Sequence, residues 1–100
     1  MNSTIPHYSF QSAIWKYKGK GAWYFCSLSK EMSAEIWLLN KKLEQGWGRL
    51  KTKAMIGKTT WDTAIWYDTK QEAYLLPIKA EVRRKEKLES GKEIEINIWI

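Results

Sequence analysis

The chain contains very little cysteine and histidine. Its 100 residues include one cysteine, Cys26, and one histidine, His7. A single cysteine cannot form an intrachain disulfide, and one of each cannot supply the roughly four ligands of a standard zinc site. Catalysis by a nucleophile–base pair most often needs a histidine, and we expect His7 to lie in an N-terminal tail, residues 1–7. We predict no catalytic residue, no metal and no cofactor.

Long apolar runs and phosphate loops are also missing. No hydrophobic run approaches the roughly 18 residues of a membrane span. Residues 1–6 lack the basic start and apolar stretch of a secretory signal. Gly19-Lys20-Gly21 is too short for a phosphate loop and no helix follows it, so a hairpin turn is expected there. These absences predict a cytoplasmic protein that does not enter a membrane.

Tryptophan and positive charge are present in excess. The seven tryptophans can each bury roughly 200 Å². A core of this size cannot hold all seven, so some should lie on the surface or line a groove. The net charge of +6 permits a polyanionic partner, but the lysines are scattered along the sequence, which favours a basic protein without one.

Alternating apolar and polar residues dominate the chain and predict strands. The length fits one domain, residues 8–100. The clearest strand is Glu93–Ile100, in which Ile94, Ile96 and Ile98 should face the core together. The six predicted strands cover residues 8–16, 22–28, 48–56, 59–67, 73–76 and 93–100.

Two short helices interrupt the strands. Ser29 is a typical N-cap, and four apolar residues at helical spacing follow it before Gly46, which is typical of a helix end. A second helix is predicted over Ile78–Leu88, where alanine, valine and leucine lie among charges. The apolar stripe of the first helix is Met32, Ile36, Leu39 and Leu43, and that of the second is Ala80, Val82 and Leu88.

A faint internal repeat follows these helices. Leu43-Glu44-Gln45-Gly46 recurs as Leu88-Glu89-Ser90-Gly91, each time between a helix and an alternating strand. Two similar halves, Tyr8–Ile56 and Thr59–Ile100, would then pack about an approximate two-fold axis as a monomer. Chance similarity is the alternative for so short a match.

Several motifs in order resemble a known family. Gly19–Phe25, Gly46–Gly48, Ile56–Trp61 and Tyr74–Ala80 are similar to motifs of the bacterial domain-of-unknown-function family 1905, and the similarity covers about Tyr8 to Ile98. The resemblance implies a mainly β fold, a small double-split β-barrel of about six strands with two short helices. It implies no reaction, because none is assigned to the family.

A second, looser resemblance concerns the last third of the chain. Leu76–Arg84, continued by Leu88 and by Gly91–Ile94, is similar in outline to the strand–helix–Gly–strand unit of AbrB-type transition regulators. This resemblance favours a nucleic-acid partner, but AbrB-type DNA binding depends on a dimer, whereas the internal repeat would place both halves in one chain.

Lys79 and Arg83 form the main candidate ligand site. They are four residues apart, so they share one face of the second predicted helix. Two cations at a helix start do not help the helix dipole, so stability does not explain Lys79. Beside an aromatic wall, the pair could hold an anion; the wall candidates are Trp23, Trp61 and Tyr74. The alternative is an exposed basic face that forms ion pairs with Glu72 or Glu81.

A second candidate is the basic stripe, which consists of Arg49, Lys51 and Lys53 on one face of a strand. It could meet phosphates, or it could pair across strands with Glu93 or Glu95. The leading hypothesis for the whole chain is a non-enzymatic binding or interaction domain, whose groove would take a small anionic ligand or a protein. Nucleic-acid binding is the second hypothesis, and an enzyme has almost no support from the residues.

Overall fold

The computed structural model describes residues 7–40 and 48–100, which form seven strands and two helices. The predicted helix end at Gly46, Leu43 of the first apolar stripe and the first copy of the repeat lie outside the described residues. The elements in chain order are β1 His7–Ala13, β2 Trp15–Lys16, β3 Tyr24–Ser27, α1 Lys30–Asn40, β4 Arg49–Ile56, β5 Thr59–Asp68, β6 Ala73–Pro77, α2 Ala80–Glu86 and β7 Glu93–Trp99.

All seven strands belong to one curled antiparallel sheet, so the prediction of a mainly β fold is confirmed. The strand order is β1-β7-β4-β5-β6-β3-β2. β1 and β2 therefore lie at opposite edges, although only Ile14 separates them in sequence. The Ile14 N–H donates to the Lys92 carbonyl (3.4 Å), and its carbonyl accepts from the Gly91 N–H (2.7 Å). This break divides the first predicted strand in two, which accounts for seven strands where about six were expected.

The core lies on the concave face of the sheet, and the alternation in β4 and β7 places residues there as predicted. Ile96 and Ile98 are fully buried, while Ile94 is half-buried and packs against the same cluster. In β4 the even-numbered residues Leu50 to Ile56 are buried and the odd-numbered ones are more exposed. The pleat of each strand thus separates the core face from an outward face.

Helix α1 begins where the sequence predicts. The Ser29 hydroxyl accepts a hydrogen bond from the Met32 N–H at 3.1 Å, which is an N-cap contact. Ile36 is fully buried, but Leu39 is 66% exposed, so the predicted stripe is wrong at that position. The buried polar residue Ser33 belongs to the packed face instead, because its hydroxyl accepts from the Tyr74 N–H at 2.9 Å.

Helix α2 is shorter at both ends than the predicted Ile78–Leu88. Ile78 still has strand-like pairing, since its N–H donates to the Tyr24 carbonyl at 2.8 Å. Lys79 is the extended N-cap residue, and Lys87 ends the helix in the left-handed conformation (φ 54°). Val82 is the buried anchor, whereas Ala80 is exposed. Neither described helix is long and apolar enough to cross a membrane.

Candidate functional site

A cluster of aromatic side chains lies on the outward face of the sheet, opposite the core. Phe25 is buried but does not belong to the main core cluster, whereas its neighbour Cys26 does. Trp23 lies parallel to Phe25 (6.1 Å between centroids, 8° between planes) and 6.0 Å from Trp66. Trp15 lies 5.2 Å from Phe25. Outward strand faces are usually polar. An aromatic cluster on such a face is therefore a candidate binding surface. We define the aromatic cluster as Trp15, Tyr17, Trp23, Phe25 and Trp66.

The aromatic cluster borders a first cleft of about 890 Å³. Four lysines and one aspartate line this cleft, and no ion pair joins any of these lysines to another residue of the described chain. The charge of the lysines is therefore left to attract an anion. The charged lining residues are Lys16, Lys18, Lys20, Lys70 and Asp68.

Trp23 is the most accessible tryptophan of the cluster, with 47% of its surface exposed. Its neighbour Trp15 is anchored, because the Trp15 Nε1–H donates to Ser27 Oγ at 2.9 Å, and that hydroxyl donates to Gln71 at 3.1 Å. The buried Nε1 of Trp66 has no acceptor among the described residues. The wall of the first cleft is thus held by packing and by one hydrogen-bond chain, with the Trp23 ring open to solvent.

A second cleft, of about 410 Å³, adjoins the first at Trp23. The structure brings four of the five predicted site residues together in its lining: Lys79, Arg83, Trp23 and Trp61. Tyr74 is not among them. It is fully buried on the core face of β6, with its ring 5.3 Å from that of Tyr67. The strand pleat explains this placement, since Tyr74 alternates with the outward-facing Leu75.

The two cations of the second cleft already have contacts. Lys79 Nζ lies 3.8 Å from Glu81, an exposed ion pair of the kind worth ~0–1 kcal/mol. Arg83 lies with Cζ 3.8 Å above the Tyr24 ring centre, and its Nε donates to the Ile78 carbonyl at 3.2 Å. The ion pair of Lys79 with Glu81, which the sequence offers as the alternative to a ligand site, is therefore present. An anion in this cleft would have to compete with Glu81.

The basic stripe of β4 faces outward, as its alternation predicts. Lys53 pairs with Asp62 directly across the strand pair, at 3.3 Å. The expected partners were glutamates of the last strand, and the acid found is on β5 instead. Glu95 accepts a hydrogen bond from Ser9 at 3.4 Å.

The first cleft was missed by sequence reasoning, although a signal was present. Lys16, Lys18 and Lys20 alternate with Tyr17 and glycine through the predicted turn. Such alternation places basic side chains around an aromatic one in a hairpin. The turn forms a cleft only together with Trp66. Trp66 belongs to a strand that is distant in sequence, and no local pattern connects it to this turn.

The remaining candidates for chemistry are in structural roles. His7 is the first residue of β1 and not part of a tail; its ring stacks on Trp99 (4.9 Å between centroids), and its Nε2 lies 2.9 Å from the Asn97 side-chain oxygen. Burial raises the pKa of the Cys26 thiol to about 12, a rise that a hydrogen bond with Ser12 partly opposes. Cys26 is thus a protonated core residue at neutral pH. The described residues contain no group of three or more metal-ligating side chains.

Comparison with known proteins gives one finding. The model of a family described as a domain of unknown function, DUF1905, matches residues 10–98. No curated protein matches the chain.

Proposed function

The chain belongs to the DUF1905 family of domains of unknown function, and we propose from its geometry that it is a non-enzymatic binding domain for anionic ligands that carry a flat ring. The observation that carries the proposal is Trp23, a half-exposed indole packed against Phe25 and Trp66 between two clefts that both contain cations. We call the two clefts together the Trp23 groove. A cytoplasmic location is part of this proposal.

Two interactions would hold the proposed ligand, stacking of its ring on Trp23 and attraction of its negative charge to lysines. The Trp23 face offers stacking to a planar group, which is worth ~0.5–1.5 kcal/mol for a pair of aromatic rings beyond the area they bury. The lysines of the first cleft offer attraction to a phosphate, sulfate or carboxylate without first breaking an ion pair with a described residue. A ligand that has both parts should bind better than either part alone.

The proposal is tested by isothermal titration of the protein with a nucleoside monophosphate, which has both parts. Trp23→Ala should reduce the affinity about 2- to 10-fold, which corresponds to the loss of ~0.5–1.5 kcal/mol of stacking. Trp37→Ala is the matched control, because Trp37 is 40% exposed on α1 and lines neither cleft. Equal affinity of the two variants would contradict the proposal. The nucleoside and inorganic phosphate should each bind more weakly than the monophosphate.

We propose the second cleft as the weaker part of the same groove. Lys79 and Arg83 lie one helical turn apart beside Trp23, so they can contact one anion, Arg83 by a bidentate pair of hydrogen bonds. Thermal-shift measurements with small anions test this, using Lys79→Ala/Arg83→Ala. If the double variant keeps every shift that the wild type gives, the anion site lies elsewhere in the groove or outside it.

The fold detail that we propose is a double-split β-barrel with an internal two-fold. The strand pairing supports it: β3 pairs with β6 and β4 with β7, and each pair joins corresponding strands of the units β3-α1-β4 and β6-α2-β7. The strand β5 corresponds to the segment formed by β1 and β2. β5 pairs with β4 and β6, and in the same way β1 pairs with β7 and β2 pairs with β3. AbrB-like binding of duplex DNA by a dimer is the less supported function, because one chain here carries both units.

A further inference from the structure

The outward face that carries the aromatic cluster continues onto β4. Trp66 of β5 lies opposite Leu75 of β6 on one side and opposite Arg49 of β4 on the other. Lys51 lies opposite Ala64, one pleat further along the same face. The basic stripe and the aromatic cluster are therefore parts of one surface, with the stripe on one side of Trp66 and the first cleft on the other.

Most of the cations on this surface are uncompensated. Lys53 pairs with Asp62, but neither Arg49 nor Lys51 forms an ion pair with another described residue. The lysines of the first cleft are also without such partners. Positive charge thus borders the aromatic rings on two sides, while the chain as a whole carries +6. This pattern is complementary to a ligand that has several flat groups joined by several negative charges.

We propose that the Trp23 groove and the basic stripe together bind single-stranded nucleic acid. Unpaired bases would stack on the exposed rings of Trp23 and Tyr17, while phosphates cross between the cleft lysines and Arg49 and Lys51. The proposal rests on the proposed function and names its ligand class. Duplexes are a poorer fit, because their bases are already stacked on one another and would leave the aromatic rings without a partner.

The dimensions of the face set the expected length of the site. Neighbouring strands lie about 4.8 Å apart, so the five strands from β2 to β4 cover ~19 Å. That width suits about four nucleotides, which is at the lower end of the range for small single-strand-binding barrels. Affinity should rise from one to about four nucleotides and then level off, apart from the statistical gain of a longer strand.

The test is fluorescence anisotropy of labelled oligothymidylates of two, four and eight nucleotides and of an eight-base-pair duplex. Trp23→Ala should weaken binding of the four-nucleotide strand roughly 5- to 150-fold, the effect of losing one stacked base. Lys51→Glu should also weaken it, and should make the slope of log affinity against log salt less steep by about 0.7. Lys92→Glu is the matched control, because it makes the same charge change outside both clefts and the stripe.

The outcomes separate this proposal from the proposed function. If the monophosphate binds at Trp23 but the four-nucleotide strand binds no more tightly, the groove is a small-ligand site and the inference is wrong. Tighter binding of the duplex, or equal loss in Lys51→Glu and Lys92→Glu, also overturns it, because phosphate attraction alone would then explain binding. If neither the monophosphate nor the strands bind, both proposals fail.

Discussion

The large side chains of the described strands fall into two groups, those packed in the core and those on the outward face of the sheet. Burying a large aromatic side chain stabilises a fold by roughly 1.5–3 kcal/mol relative to leaving it in water. Trp61 gains this, at 7% exposure, whereas Trp23 keeps 47% of its surface in solvent beside two other rings. The exposure of Trp23 is thus a feature that core packing does not require.

Substitution of Ile96 tests the predicted packing of the core. It is fully buried in β7, whereas Ile94 of the same strand is half-buried. Ile96→Ala should lower the free energy of unfolding by ~2–5 kcal/mol, because the deletion leaves a cavity. Ile94→Ala should cost clearly less. Urea denaturation of the two variants checks the register, and an unchanged melting temperature for Ile96→Ala would refute it.

Cys26 predicts an alkaline dependence of stability. Burial raises its pKa from the usual 9.0 to about 12, so between pH 9 and 12 the unfolded chain loses the thiol proton more readily than the folded chain. The thiol's contribution to stability is complete below pH 9 and is lost as the pH rises towards 12, by up to about 1.4 kcal/mol per unit. Urea denaturation at several pH values should show a shallower decline for Cys26→Ala. Parallel curves for the two proteins would contradict this.

At the scale of elements, α2 is tied to the β4–β5 hairpin by one carboxylate. Glu86 accepts hydrogen bonds from Thr59 Oγ1 at 2.6 Å and from the Lys58 N–H at 3.3 Å. Gly57 turns the hairpin with a positive φ of 59°, and a Cβ there would collide with Glu86. The glycine thus allows the turn and leaves room for the Glu86 carboxylate.

The contacts of Glu86 should contribute measurably to the stability of the protein. Glu86→Ala should lower the free energy of unfolding by ~1.5–3 kcal/mol, since hydrogen bonds to a charged acceptor are lost. Glu86→Gln keeps one acceptor oxygen and should cost less. Amide hydrogen exchange at Lys58 should quicken in Glu86→Ala before exchange in β7 does. Unchanged exchange at the hairpin would show that the contact does not hold it.

The sequence predicted the elements well because periodicity and caps are local. The alternation of β4 and β7 and the Ser29 cap were sufficient for their strands and helix. Leu39 was misplaced because helical spacing alone does not say how far a helix stays in contact with the sheet. The contacts Glu86–Thr59 and Ser33–Tyr74 join residues 27 and 41 positions apart, and no local pattern encodes them.

The candidate site depends on contacts between elements that are distant in sequence. Sequence reasoning placed Lys79 and Arg83 with Trp23 and Trp61, and the structure brings these four together. The sequence does not predict the larger first cleft, because that cleft forms only when β5 brings Trp66 beside the hairpin of β2 and β3. Tyr74 lies outside both clefts, because the pleat of β6 places it on the core face. The residue types of the candidate site could be predicted from local sequence, but which of them lie on one surface could not.

The proposed internal two-fold predicts a monomer. If one chain contains both strand–helix–strand units, no strand needs to come from a second copy. Light scattering coupled to size exclusion should therefore give the monomer mass, close to 11.8 kDa. A strict dimer whose strands are exchanged between chains would contradict the proposal, whereas a dimer formed through surface contacts would not.

If the Trp23 groove binds the proposed ligand, the indole N–H signals of its tryptophans should respond to that ligand. In a two-dimensional ¹H–¹⁵N NMR titration with a nucleoside monophosphate, the signals of Trp23 and Trp66 should shift together and saturate. The signals of Trp37 and Trp99, which line neither cleft, should stay in place. Saturable shifts confined to Trp37 or Trp99, or no shift of Trp23 at millimolar ligand, would exclude the Trp23 groove as the binding site.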